Sequence, residues 1–195
     1  MTKGEATRQF IIEKAAPIFN TKGIAATSMS DIMEATKLAK GSLYVHFENK
    51  DVLANAAVDY NIKLLGERTN ALLNKHKSPY NKLLAYIDSF KTPTNLLIEG
   101  GCPIMNFGME ADDTDPVIKN KAYQGVILSQ QMIAGMIEDG IKEKIFSPRW
   151  DYKEFSTIAF AMIEGGIMMC RVAGNNDIMK VINKHLKKII QDNIL

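Results

Sequence analysis

Residues 23–53 read GIAATSMSDIMEATKLAKGSLYVHFENKDVL, and this stretch decides the fold. Thr27 and Ser28 are helix-capping types, and Asp31 stands three places beyond Ser28 as in a capping box. A short helix over 28–36 follows, then a turn at Lys37–Ala39, then two helical turns over 40–47 before Glu48 and Asn49 interrupt. Ile32, Met33, Leu38, Leu43 and Phe47 can pack this pair against Ile18 and Phe19 of a preceding helix. Lys40, Ser42, Tyr44, His46 and Lys50 are then left for the other side. Such spacing matches the helix-turn-helix geometry, whose second helix carries its first residues into the DNA major groove. Lys40 and Gly41 open that helix, where backbone amides and the helix dipole attract phosphate and Gly41 allows close approach. A generic helical hairpin with a solvated polar face fits the same spacing, so the residues alone leave both open.

Working outward, the apolar positions recur at helical spacing throughout. Ile11, Ala15, Ile18 and Phe19 share one face of a first helix over 6–22, with Pro17 inside it predicting a kink or a shortened segment. A long helix runs over 49–75, another over 79–92, and two or more short ones fit the Gly- and Pro-broken stretch 94–116. Helices over 117–146, from about 152 to 173, and over 176–192 complete the chain, with Asp115 capping and Pro116 at the first helical position of the first of these. The predicted fold class is all-α, with a three-helix module at 1–48 and a larger helical domain at 49–195.

Composition narrows the function classes. Hydrophobic residues make up 46% and charged residues 24% of 195, which describes a folded globular chain. The apolar run Thr157–Cys170 is interrupted by Glu164 and falls short of a membrane span, and MTKGEATRQF lacks a signal-peptide core. The expectation is therefore a cytoplasmic protein with no membrane partner. Cys102 and Cys170 are too few for a disulfide framework or a structural zinc site, and reduced thiols are expected. Net charge is +2 over residues 1–50, −3 over 51–177 and +3 over 178–195, which permits nucleic-acid binding without a dense basic stripe. No cofactor or metal is expected: Asp112, Asp113 and Asp115 lack the ordered spacing of a calcium loop. His46 has no nucleophile or carboxylate at a telling distance to make it a general base, so no enzyme is predicted.

The run TSMSDIMEATKLAKGSLYVHFENKDVL closely resembles the DNA-binding signature of TetR-type transcriptional regulators. The matches are Thr27, Ser28, Asp31, Ile32, Ala35, Lys40, Gly41, Leu43, Tyr44, His46, Phe47, Lys50, Asp51 and Leu53. Two positions depart from it, Lys37 where the family's turn carries glycine and Ala39 where it carries a serine cap. The resemblance implies double-stranded DNA as partner. Thr27, Tyr44 and Lys50 are implied as phosphate donors, Lys40 as a phosphate or guanine contact, Gly41 as the close-approach position, Ser42 and His46 as base or backbone contacts, and Val45 as a thymine-methyl contact.

It also implies a C-terminal domain that binds a small-molecule effector and pairs two chains. Eleven methionines suit either core or pocket, and Phe90, Met105, Phe107, Met109 and Met132 are the expected lining of an apolar cavity, with Cys102 nearby as a buried hydrophobe or a thiol sensor. A homodimer is expected through the helices over 117–146 and 152–173, where Gly165 and Gly166 call for a close helix approach. The resulting expectation is a repressor released from a palindromic operator by a small apolar molecule. Its rivals are an all-helical enzyme, which needs a catalytic constellation in 94–170, and a non-specific architectural DNA binder, which needs a denser basic surface.

Overall fold

The computed structural model describes residues 2–195, and among these the chain forms helices and no strand beyond one isolated bridge between Phe146 and Ile194. In order they are α1 (Lys3–Lys22), α2 (Met29–Thr36), α3 (Lys40–His46), α4 (Lys50–Leu73), α5 (Pro79–Asp88), α6 (Pro103–Ala111), α7 (Pro116–Lys142), α8 (Tyr152–Ala173) and α9 (Asp177–Asp192). The all-α expectation holds, with local differences. Pro17 lies inside α1 without ending it. The stretch 94–116 holds turns and one complete helix, α6, where two or more were expected, because Gly100 and Gly101 both take positive φ and delay the helix to Pro103. The helix expected over 117–146 stops at Lys142, and Lys144 turns the chain at φ 58°.

The helices sort into two compact units. The first comprises the chain through Leu65 together with Ile98–Tyr123. The unit built on the first three helices therefore extends past residue 48, through most of α4 and on to α6 and the start of α7. Its core joins Ile11, Ala15 and Phe19 of α1 to Ile32, Leu43 and Phe47, to Leu53 and Val58 of α4, and to Phe107 and Ala111 of α6. Arg8 adds a guanidinium over the Phe47 ring, 4.7 Å from its centroid. Asn61, buried on α4, donates to the carbonyl of Ala16 at 2.9 Å and ties α4 to α1.

The second unit comprises Gly66–Leu97 and Gln124–Leu195. Here α8 and α9 pack along each other, and α5 packs on α9. Phe146, Trp150 and Phe155 stack edge to face with centroids 5.1 and 4.9 Å apart. By length and composition α8 is apolar enough to cross a membrane, contrary to the expectation drawn from Glu164, but Phe155, Ala159, Ile163, Ile167 and Cys170 bury one of its faces as a core helix does.

Local chemistry explains how α2 and α3 are set. Ser28 and Asp31 form a reciprocal capping box on α2, while α3 begins at Ala39 with no side-chain cap. At the turn, Lys37 adopts φ 58°, the left-handed conformation that glycine takes without steric cost. Both departures from the expected pattern are therefore places of lost stability. Ala39→Ser and Lys37→Gly should each stabilise the chain by about 1 kcal/mol, read as a raised urea midpoint.

Candidate nucleic-acid interface

The outward face of α3 is assembled by what its inward face buries. Leu43 and Phe47 go into the core, which turns Lys40, Gly41, Ser42, Tyr44 and Val45 to solvent and leaves His46 half-buried. Val45 is 80% exposed, so its methyl groups are open on this face. A Cβ at Gly41 meets nothing within 4 Å, so the space beside this backbone is open. The Lys40 ammonium lies 5.8 Å from the Tyr44 ring centroid, placing a cation and a phenol side by side at the start of the face. Exposed Lys37 stands on the turn before it.

Two of the sequence-predicted contacts are placed differently. Thr27 is 1% exposed and its hydroxyl donates to the Gly23 carbonyl at 2.6 Å, so it closes the loop before α2 and does not face outward as a phosphate donor. The Lys50 ammonium donates to the carbonyls of Ile24 at 2.9 Å, Thr27 at 3.2 Å and Ala25 at 3.4 Å. Its three protons are used within the chain, so Lys50 braces the loop before α2.

The same loop is held from its other side by a residue the sequence pattern did not single out. Glu110 of α6 accepts from the backbone N–H of Ile24 at 2.8 Å and of Ala25 at 2.7 Å, one on each carboxylate oxygen. Nearby, buried Asn20 donates to the carbonyls of Glu99 and Gly101, and Asn106 donates to the Asn20 and Gly100 carbonyls. Gly100 is required there: at φ +90° its Cβ position would lie 2.8 Å from the Asn20 carbonyl oxygen. Nothing in the sequence marks Glu110, since a contact across 86 residues leaves no local pattern.

The five expected pocket residues are divided between the two units. Phe107 is fully buried in the core of the first unit and Met109, on the same helix, is 74% exposed. Met105 is half-buried in that unit, whereas half-buried Phe90 and Met132 belong to the second. Phe90 packs edge-on to Tyr86, with centroids 5.1 Å apart.

An exposed face on the second helix of a helix-turn-helix pair, among described residues that otherwise form helices and loops, is the arrangement of a DNA-binding regulator. Residues 11–57 match the profile described as bacterial regulatory proteins, tetR family, and residues 79–186 match that of the tetracyclin repressor-like C-terminal domain. A crystal structure of a TetR-family transcriptional regulator from Cytophaga hutchinsonii superposes with a TM-score of 0.93 at 35% identity, covering 100% of this chain and 98% of that one. An uncharacterized HTH-type transcriptional regulator of Mycobacterium tuberculosis is 26% identical over 194 residues, 95% of each chain. The HTH-type transcriptional repressor DhaR of Mycobacterium sp. (strain GP1) is 27% identical over 115 residues, 58% of this chain and 57% of that protein. The chain belongs to the TetR family of transcriptional regulators, which are not enzymes, and the general-base alternative for His46 is set aside.

Two expectations follow from the loop contacts. Glu110→Ala should lower stability by about 2 kcal/mol, the size of losing charge-assisted hydrogen bonds, and should speed amide exchange at Ile24 and Ala25 in particular. The second concerns Asp31. Its hydrogen bond from Lys22 at 2.6 Å, with those from the backbone and hydroxyl of Ser28, holds its carboxyl down to about 2 from the ordinary 3.8. A depressed folded-state value means the unfolded chain binds the proton more tightly. The stabilisation is thus complete above 3.8 and lost as pH falls toward 2. The difference in urea midpoint between the wild type and Asp31→Asn should shrink across that window.

Proposed function

We propose that this regulator is a homodimeric repressor that reads a palindromic operator with α3 and leaves it when a small molecule binds its C-terminal domain. The observation that carries the DNA reading is the outward face of α3, where Lys40, Gly41, Ser42, Tyr44, Val45 and His46 combine phosphate donors, base-edge donors and a methyl-bearing contact along seven residues. Repression is the activity named for DhaR, which is similar over more than half of this chain. Effector response is supported by the bonds from α6, within the C-terminal family match, to the loop that positions α2. A ligand that favours another position of α6 moves that loop, and a differential affinity of about 1.4 kcal/mol between the two states changes operator binding tenfold.

Pairing of two chains is supported by a second apolar face on α8. While one face is buried, Ile158, Met168, Met169 and Val172 are exposed along the other, and α9 beside it exposes Val181. Pairing was expected over 117–146 and 152–173; α7 also exposes Tyr123 and Leu128, and Val181 extends the proposed interface to α9. The two adjacent glycines divide the work. A Cβ at Gly166 would lie 2.6 Å from Ile182 and 2.7 Å from Met179, so this glycine serves the packing of α8 on α9. A Cβ at Gly165 meets nothing within 4 Å and is left for a second helix to approach.

Gly165→Leu should therefore leave the monomer fold intact, because glycine in a helix interior costs about 1 kcal/mol relative to better helix formers. It should shift light scattering from dimer to monomer and lower operator affinity at least tenfold. The whole proposal is tested by selecting genomic fragments at moderate salt. Enrichment of an inverted repeat is expected, with Lys40→Ala weakening all sites and reducing the salt slope by about 1. Val45→Ser should alter preference at one position of each half-site. A selection that enriches no inverted repeat overturns the operator reading, and compounds that bind without changing operator affinity overturn the effector reading.

A further inference from the structure

Arg8 of α1 is exposed, and its guanidinium is held over the ring of Phe47, the residue that closes α3. Arg8 precedes Ile11 and Ile12 by three and four positions, so it stands one turn beyond them on the stripe of α1 that enters the core. Phe47, 1% exposed, fills the edge of that core, and Arg8 lies over it at the surface. Covering the ring needs only the apolar stem of such a side chain; the guanidinium brings five N–H donors that covering does not require. Among the described residues none of these donates a hydrogen bond within the chain, and no carboxylate lies within ion-pair distance of them. Glu5, one turn earlier, is turned back to the Thr2 amide at 2.6 Å.

The course of the chain places this cation beside the recognition helix. Arg8 meets Phe47 between α3 and α4, whereas Ala16, two turns later on α1, accepts from Asn61, three turns into α4. The two helices therefore run in the same direction, away from α3, and their first turns share one end of the unit with it. Leu43 and Phe47 point from α3 into the core, so the exposed face of α3 is turned outward at that end, with Arg8 at its margin. Lys40 is the first residue of α3 and Phe47 its C-cap, and at 1.5 Å per residue they stand about 10 Å apart along the helix. The major groove that admits such a helix is about 12 Å wide and is walled by the phosphates of both strands. Cations at opposite ends of α3 are thus spaced to meet different strands.

We propose that Arg8 is a DNA-binding residue: its guanidinium donates to a backbone phosphate on the strand opposite the one that Lys40 meets, and Phe47 is the platform that holds it there. The inference rests on α3 entering the major groove, and it adds to that face a contact from a different helix. The test measures the affinity of the full-length chain for a duplex of unrelated sequence across a salt series, so that no operator is required. Arg8→Met keeps an apolar cover on Phe47 and removes the charge; it should weaken binding about threefold or more and lower the salt slope by about 1. Arg8→Lys keeps the charge and should keep the slope. The slope does not depend on the active fraction, so a variant that folds less completely still reports it. Combining Arg8→Met with Lys40→Ala should lower the slope by about 2, since each cation releases its own counterion. The proposal is overturned if Arg8→Met leaves the slope unchanged, or if Arg8→Lys lowers it as much as Arg8→Met does, which would make Arg8 a support for Phe47 alone. A slope lowered by Lys40→Ala but not by Arg8→Met overturns the Arg8 contact and leaves the reading of α3 standing; a slope that neither changes overturns both.

Discussion

Five residues between α1 and α2, Gly23 to Thr27, are gripped through their backbone by two opposite charges. Glu110 takes the amides of Ile24 and Ala25, and Lys50 gives its protons to the carbonyls of Ile24, Ala25 and Thr27. Apart from Ile24, which packs against the core, the loop is made of small residues with little apolar surface, and these bonds fix its backbone. The direction in which α2 leaves the loop follows, and with it the attitude of α3, whose Leu43 and Phe47 must meet Ile11 and Phe19 in the core. The two carriers of charge come from residues 50 and 110, so the N-terminal reading module is not closed on itself. It borrows a carboxylate from α6.

This arrangement also accounts for the composition of the first unit. Asn20 is 4% exposed, and an asparagine so placed requires every polar atom answered; the turn Glu99–Gly101 and Asn106 answer them. Charge and amide groups, more than apolar area, therefore set how α6 meets the end of α1. Such contacts are directional and break within a fraction of an ångström, unlike the contact of Phe107 with the same core, which tolerates small shifts.

What was legible in the sequence were features with a local period or spacing. Helical periodicity gave α1, α2, α3, α8 and α9 nearly to their ends, and the capping signals at Ser28 and Asp115 hold, with Asp115 accepting from the amides of Val117 and Ile118. The exposed residues of α3 were legible because Leu43 and Phe47, four apart, can only face one way. The intrachain bonds of Lys50 and Thr27 were not legible because residue type does not reveal whether a donor is already used. Glu110 was missed because its partners are backbone amides, which carry no sequence signal at all. Burial along the Gly-broken segment was not legible for a related reason: aromatic and thioether side chains there serve a core as readily as a cavity, and Phe107 went to the core while Met109 went to solvent.

The left-handed Lys37 has a consequence for the unfolded chain. A glycine at that position would visit both signs of φ before folding, whereas a lysine spends nearly all of its time at negative φ. The reversal between α2 and α3 is therefore scarcely sampled in the denatured ensemble, and α3, seven residues long and begun without a cap, cannot nucleate alone. The helix pair is imposed from outside, when Ile32, Leu43 and Phe47 find α1. A peptide cut to residues 28–47 would then lack what bends it, and the motif that is most recognisable in the sequence is among the parts least able to fold by itself.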